Sequence, residues 1–170
     1  MTIKMIIATG ANFEIGQDGK LPWGYIKEDM TYFQDQTSNH IVVMGRKTQD
    51  SLPNKRKVLP NRINYVVSSK GNGEQDDGSY KVSMVSLVKS ILSGKSIFSH
   101  LDTWVIGGSS IYQQLLPYVD EIHWTLVNED FPEADTYFDM SFLWANEKDW
   151  YFDNLTKLGT TTSVTVWKRK

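Results

Sequence analysis

The chain has 170 residues, a formal net charge of −2 and a hydrophobic share of 40%. That is the size and make-up of one folded domain with a sizeable core, and it excludes a disordered chain. The near balance of 18 basic and 20 acidic residues argues against bulk attraction to nucleic acid or to an anionic membrane. Cysteine is absent, so disulfides, thiolate metal sites and Cys nucleophiles are excluded. The opening residues carry no secretory core, and no run approaches the roughly 18 apolar residues of a membrane span. The expectation is a monomeric cytoplasmic protein forming a single domain over residues 1–170.

Ile3 to Ala8 is a short β-branched apolar run and predicts a buried strand. Gly10 to Gly24 follows as a long irregular stretch, a length that marks a lid in compact domains. Lys27 to Thr37 sets Met30 and Phe33 at helical spacing and puts Glu28 and Asp29 in the first turn, where acids suit the helix dipole. His40 to Met44 predicts a second strand closed by Gly45, and Arg46 to Ser51 a short helix. Arg62 to Val67 predicts a third strand, then Ser68 to Ser79 a polar loop without periodicity. Met84 to Leu92 gathers Met84, Leu87, Val88, Ile91 and Leu92 on one helical face, with Gly94 as terminator. Thr103 to Ile106 predicts a strand, after which Gly107-Gly108 opens a helix, Ser109 to Leu116, stopped by Pro117. Glu121 to Val127, Trp150 to Leu155 and Thr161 to Trp167 are strand-like, with no helix of similar quality between them. Together they predict an α/β fold: a central, mostly parallel sheet with an antiparallel C-terminal edge, flanked by about four helices.

Open α/β sheets bind ligands beyond the carboxyl ends of their strands. Here those ends are Ala8, Gly45-Arg46-Lys47-Thr48, Ser68-Ser69-Lys70 and Ile106-Gly107-Gly108-Ser109-Ser110. Two of them put glycine at a strand-to-helix turn, where backbone approaches a phosphate closely and helix-start N–H groups favour an anion. Either turn alone is equally ordinary connection chemistry. The G-x-G-x-x-G fingerprint is absent, which excludes a standard Rossmann dinucleotide site. Arg46, Lys47 and Lys70 beside these turns point to a phosphorylated cofactor. Ser68-Ser69-Lys70, with no acid for a ribose hydroxyl, suits an extra phosphate.

Asp29 shares a helix face with Met30 and Phe33. A carboxylate among apolar neighbours has a raised pKa and pairs with an amidine-like N–H edge of a ligand. The competing readings are a solvated first-turn acid, or Glu28 in the same role. Arg62, after Leu59-Pro60-Asn61, is placed to hold a carboxylate in a bidentate pair, whereas Lys55-Arg56-Lys57 reads as a solvated loop. His40, His100 and His123 lack metal-ligand spacing, and no G-x-S-x-G elbow occurs. Neither metal chemistry nor serine hydrolysis is expected. Most aromatic residues read as core, but Trp23 follows Leu21-Pro22 at the end of the lid stretch, where an indole N–H can hold a water or a ligand edge.

In this order the pieces resemble the dihydrofolate reductase family over essentially the whole chain. The resemblance is carried by Ile15-Gly16, Leu21-Pro22-Trp23, Asp29-Met30 with Phe33, and Val43-Met44-Gly45-Arg46-Lys47-Thr48. It continues through Leu59-Pro60 with Arg62, Val67-Ser68-Ser69, Val105-Ile106-Gly107-Gly108, Ile111-Tyr112, Thr125 and Ala134-Asp135-Thr136-Tyr137-Phe138. It implies reduction of 7,8-dihydrofolate with NADPH, and antifolates as ligands. The nicotinamide would lie near Ala8, Ile15, Gly16 and Ile106. The pyrophosphate would sit on Gly45 to Thr48 and on the helix start formed by Gly107, Gly108, Ser109, Ser110 and Ile111. Arg46, Ser68 and Ser69, with Lys47 or Lys70, would take the 2′-phosphate. Asp29, supported by Thr125, would bind the pterin edge. Ile6, Ala8, Met30, Phe33, Leu52, Leu59, Ile106 and Tyr112 would surround the substrate, and Arg62 would hold its α-carboxylate. Leu21 and Trp23 would flank the water that delivers the proton.

Three departures from the family pattern stand out. One extra residue separates Trp23 from the acid, so counting forward from Trp23 reaches Glu28 and counting back from Phe33 reaches Asp29. Gln49 stands where an aromatic is common, and Ser109-Ser110 replaces a third glycine. The rival readings are a reductase of a related pterin or pyrimidine, and a non-catalytic binding homologue.

Overall fold

The computed structural model describes residues 1–55, 57–70, 72–93, 100–145 and 148–170. The apolar β-branched runs become strands. In chain order β1 (Ile3–Thr9), β2 (Glu14–Gly16), α1 (Lys27–Thr37), β3 (Ile41–Gly45), α2 (Arg46–Ser51) and β4 (Ile63–Val67) are followed by β5 (Gly73–Glu74) and β6 (Tyr80–Val82). Then come α3 (Met84–Ser93), β7 (Thr103–Gly107), α4 (Ser109–Leu115), a 3₁₀ turn (Leu116–Tyr118), β8 (Glu121–Val127), β9 (Thr136–Tyr137), α5 (Phe142–Ala145), β10 (Trp150–Lys157) and β11 (Thr162–Arg169).

Among the described residues nine strands form one sheet in the order β10-β11-β8-β1-β7-β3-β4-β6-β5. The middle, from β8 to β6, is parallel throughout. Antiparallel strands close both ends, β10 and β11 at one and β5 at the other. The carboxyl ends of β1, β7, β3 and β4 therefore lie along one edge of the sheet.

Alternate residues of each strand face opposite sides, and each side buries its own cluster. Met5, Ile7, Val43 and Val105 pack with Leu87 of α3 and Ile111, Tyr112 and Leu115 of α4. Ile6, Val42, Met44, Val66 and Trp104 pack with Tyr32 and Phe33 of α1, and with Leu52, Leu59 and Ile106. The acid-bearing helix thus covers one side of the sheet, and α3 and α4 cover the other.

The elements differ from expectation in four places. The described residues hold five helices rather than about four, because Phe142–Ala145 makes one turn between the last strands. The 3₁₀ turn carries Pro117 in its first positions, so α4 ends at Leu115 while the chain continues to coil: proline lacks only a donor that a helix start does not need. The polar stretch after β4 contains β5 and the approach to β6. Gly94 and Arg56 lie outside the described residues.

The fourth difference is in the lid. It is rooted in a small second sheet, β2 against β9. Its tip is a tight reversal in which Gln17 and Lys20 exchange both backbone hydrogen bonds, at 2.8 and 2.9 Å. Asp18 and Gly19 sit at φ 51° and 73°, the left-handed pair that an Asp-Gly hairpin turn requires. At the root, Glu14 is 2% exposed. Its carboxylate accepts the Asn12 N–H at 2.8 Å and the Phe131 N–H at 3.2 Å. Gly10 is obligatory there, because a Cβ would run into this carboxylate and come within 2.6 Å of the Phe131 ring. Phe13, also at the root, packs 6.2 Å from both Trp124 and Trp144, which stack on each other at 6.0 Å.

Burial pushes the Glu14 carboxyl up, but hydrogen bonds from the N–H groups of Glu14, Phe131 and Asn12 outweigh it and hold the group below the ordinary glutamate value. A depressed folded-state pKa gives stability that is present above the unfolded value and lost as pH falls through the folded one. Glu14→Gln is therefore expected to be less stable than the parent near pH 7, with the gap closing below about pH 4. Urea denaturation across pH 7 to 3 checks it.

Candidate active site

Asp29 sits in the first turn of α1 and is 8% exposed. Burial raises its pKa, and a hydrogen bond with the Thr125 side chain pulls the other way. Thr125 lies on β8 directly beside Ala8 of β1, so the acid is held at the carboxyl edge of the central strands. Tyr112 of α4 reaches the same place from the other side of the sheet, its hydroxyl donating to the Ile6 carbonyl at 2.9 Å. Burial, and after it the charge of Asp29, holds the Tyr112 phenol far above its usual range.

Glu28 goes elsewhere. It is exposed and lines a polar cleft of about 370 Å³ with Trp23, Ile26, Glu129 and the Gly159–Thr162 turn. The extra residue after Trp23 is thus absorbed before the helix, and Asp29 is the acid turned toward the sheet.

The apolar residues expected around the acid assemble on α1's side of the sheet. Ile6 is buried, and half-buried Phe33, Leu52, Leu59 and Ile106 pack around it in one cluster. Met30 and Ala8 are half-buried beside Asp29 and Thr125 respectively. Arg62 stands over the Phe33 ring at 5.8 Å. Its Nε is buried without a hydrogen-bond partner among the described residues, and burial lowers its pKa. An unpartnered buried guanidinium nitrogen calls for an anionic partner.

Asn64 holds this cation in place. It is 3% exposed, and its side chain accepts the Leu59 N–H at 2.8 Å while donating to the Leu59 and Arg62 carbonyls at 2.9 and 3.0 Å. The sequence reading passes over it, although an asparagine in the run Ile63-Asn64-Tyr65-Val66-Val67 is a polar residue at a core position and is itself a signal.

The two glycine turns face each other. A Cβ on Gly108 would lie 3.5 Å from the Thr48 hydroxyl, and one on Gly45 would lie 3.1 Å from Ile111. Gly107, at φ 108°, has the Tyr112 ring 2.9 Å from where its Cβ would be, so only glycine lets the strand end pass the phenol. Gly45 and Gly108 are the N-caps of α2 and α4, and neither helix start has a side-chain cap. Their first-turn N–H groups therefore remain available to an anion at one shared place.

Arg46 and Lys47 are exposed beside this place, as are Ser69 and Lys70 after β4. Ser68 is tied to Lys70 by two hydrogen bonds, its hydroxyl donating to the Lys70 carbonyl at 3.1 Å and accepting its N–H at 3.0 Å. Gln49 is buried and donates to Asp77 and Ser79 at 3.2 and 3.3 Å, so it fastens α2 to the β5–β6 segment. Ser110 accepts from Gln114 at 2.9 Å, and Ser109 reaches the Tyr137 carbonyl at 3.4 Å.

The lid segment leaves the sheet at the carboxyl end of β1. Ile15 and Gly16 are half-buried in β2, and Leu21 is 42% exposed. The Asp18 N–H donates to Asp135 at 2.7 Å. Trp23 packs edge-on to Phe131 at 5.5 Å, with its buried indole nitrogen unpartnered among the described residues.

A buried acid in apolar surroundings, a cation with a buried unpartnered nitrogen and two facing glycine turns with uncapped helix starts thus gather at the carboxyl ends of the central strands. Comparison with known proteins gives the particular case. The family model for dihydrofolate reductase matches residues 2–168. The dihydrofolate reductase of Bacillus subtilis (strain 168) is 39% identical over 136 residues, 80% of this chain and 74% of that protein. The enzyme of Rattus norvegicus is 31% identical over 146 residues, 80% of this chain and 78% of that one. Among solved structures, dihydrofolate reductase from Enterococcus faecalis complexed with NADP(H) and RAB-propyl has the same fold, with a TM-score of 0.80 and 24% identity over 99% of this chain and 96% of that one. The chain belongs to the dihydrofolate reductase family, and its activity is the reduction of 7,8-dihydrofolate to tetrahydrofolate.

Because folding raises the Asp29 pKa, the native state binds its proton more tightly than the unfolded chain, and ionising it removes stability as pH rises through the folded value. Asp29→Asn is expected to melt several degrees higher than the parent at pH 7 in the absence of ligands, with the difference shrinking toward pH 4. Thermal melts at the two pH values test this.

Proposed function

We propose that Asp29 is the group that binds and orients the substrate, and that the glycine cradle and its neighbouring cations hold NADPH. When bound, NADPH supplies the hydride that reduces C6 of the pterin. The residues present fit that cofactor: two uncapped helix starts converge for a pyrophosphate, and Arg46, Ser68 and Ser69, with Lys47 or Lys70, suit a 2′-phosphate. Ala8, Ile15, Gly16 and Ile106 make the apolar setting for the nicotinamide.

The observation that carries the reading is the burial of Asp29 next to Thr125. A desolvated carboxyl exchanges hydrogen bonds with the amino and N–H groups of one pterin edge, fixing the ring's register. That edge lies opposite N5, so Asp29 polarises the ring and does not itself hand over the N5 proton. A water beside Leu21 and the Trp23 indole N–H delivers it, and the lid keeps bulk solvent out during the step. Ile6, Ala8, Met30, Phe33, Leu52, Leu59, Ile106 and Tyr112 wall the rings, and Arg62 takes the α-carboxylate. The unpartnered Nε of Arg62 favours a substrate with a glutamate tail over a simpler pterin or pyrimidine. The same site accepts antifolates that mimic the N–H edge.

We further read the chain as a monomeric cytoplasmic enzyme working as one domain over residues 1–170, with small-molecule partners and neither nucleic acid nor membrane. A net charge of −2 speaks against bulk attraction to nucleic acid or an anionic membrane, and among the described residues no helix is long and apolar enough to cross a membrane.

Asp29→Asn is expected to lower turnover by about 100-fold or more while leaving NADPH affinity within about twofold. Unchanged turnover, followed by NADPH absorbance, removes Asp29 from the mechanism. Arg62→Leu is expected to raise the KM for dihydrofolate by about tenfold or more, as for loss of a charge-assisted pair. An unaltered KM would detach Arg62 from the α-carboxylate.

A further inference from the structure

Three polar residues line one side of β8 at alternate positions: Glu121, His123 and Thr125. Their neighbours Ile122 and Trp124 face the opposite cluster, so these three point toward α1. The register beside them puts Lys4 next to Glu121, Ile6 next to His123 and Ala8 next to Thr125 on β1. On β11, Lys168 lies beside Glu121 and Val166 beside His123.

α1 meets this stripe through two side chains one turn apart. Asp29 is buried beside Thr125, whose side chain lowers its pKa, and the Tyr32 hydroxyl lies 2.6 Å from Nδ1 of His123. Spacing makes the match possible: Asp29 and Tyr32 are three apart on a helix, a rise of about 4.5 Å, while Thr125 and His123 are two apart on a strand, about 6.6 Å. A polar contact at each of two heights, added to the packing of Phe33, defines the axial position and the rotation of the helix.

The second contact is itself braced. His123 is 6% exposed and its Nε2 lies 2.6 Å from Glu121. Glu121 accepts from Lys4 at 3.4 Å, and Lys4 also pairs with Asp102 at 3.2 Å. With Nε2–H donating to Glu121, Nδ1 is the free acceptor, and the Tyr32 hydroxyl donates to it. Burial, with the charge of Glu121 adding to it, pushes Tyr32 up to about 12, so the phenol keeps its proton. The His123 ring also meets Trp104 edge-on at 4.9 Å, which leaves the imidazole one orientation.

We propose that Tyr32 and His123 are positioning residues for Asp29: the Tyr32–His123–Glu121 chain sets the height and rotation of α1 so that the buried carboxyl meets the substrate's N–H edge. Neither residue touches substrate; they act through Asp29. The inference rests on the role given to Asp29 above. It assigns a function to a histidine that lies outside any metal-like pattern and two residues from the supporting threonine.

The test is steady-state kinetics with dihydrofolate and NADPH, alongside NADPH binding and thermal melts, on four variants. Tyr32→Phe keeps the ring and removes the hydroxyl. His123→Asn presents an acceptor where Nδ1 stood and keeps the contact to Tyr32; His123→Gln presents its amide where Nε2 stood and loses that contact. The fourth is the double variant Tyr32→Phe with Asp29→Asn.

Tyr32→Phe and His123→Gln are expected to raise the KM for dihydrofolate about fivefold or more, with NADPH affinity within about twofold. His123→Asn is expected to retain most of the parent's KM even where its melting temperature falls as far as that of His123→Gln. In the Asp29→Asn background the Tyr32→Phe change is expected to have little further effect, because the group it positions has gone. Equal KM values for the two His123 variants, or a Tyr32 effect of full size without Asp29, would overturn the proposal and leave the chain a structural brace. A parent protein that does not reduce dihydrofolate would instead overturn the assignment of Asp29.

Discussion

The arrangement depends on one unfavourable burial. A carboxyl group in the first turn of α1 is removed from water and given a single threonine in return. Such a group is unstable alone and is stabilised by a ligand that brings N–H donors to it. The fold supplies the surroundings that keep it there: an apolar cluster beneath, a phenol from the opposite side of the sheet, and a strand edge where the backbone of β1 ends. Binding strength at this place is the counterpart of folding energy not realised in the free protein.

The parallel sheet explains why the other parts are within reach. Parallel strands send all their carboxyl ends to one edge, so residues far apart in sequence arrive together without a dedicated scaffold. Thr48 and Gly108 are sixty positions apart, yet the hydroxyl of one and the backbone of the other are neighbours. The acid lies on the α1 side of the sheet, while α4 brings Tyr112 from the other side. Opposite sides of one sheet thereby contribute to the surroundings of a single carboxyl group.

Much of this was legible in the sequence, for a physical reason. Short continuous runs rich in β-branched residues, such as Ile41 to Met44 closed by Gly45, favour a doubly covered parallel strand, and the glycine turns after them suit close backbone approach. The resemblance to a family supplied the order of the pieces. What escaped was set by long-range partners. The lid looked irregular because β2 is only three residues long and finds β9 some 120 positions later, although Asp18-Gly19 already marked its hairpin tip. Glu14 gives no local sign of its burial, since its partners Asn12 and Phe131 meet it only in the fold, whereas Asn64 stands out only by its place in an apolar strand. His123 was dismissed with the metal ligands because its partners, Tyr32 and Glu121, follow the geometry of a helix lying on a strand and not a motif. The choice between Glu28 and Asp29 needed the structure, since one inserted residue before a helix shifts the count but not the face.

The stacked indoles of Trp124 and Trp144, with Phe13 of the lid root against both, have a spectroscopic corollary. Two indole chromophores at that separation share their excitation and produce a paired circular-dichroism band whose sign follows their mutual tilt. Trp124 belongs to the central sheet and Trp144 to the last helical turn, and Phe13 brings the root of the lid against both. Sheet, lid root and the turn before the last two strands thereby meet in one aromatic cluster whose absorption reports on all three together.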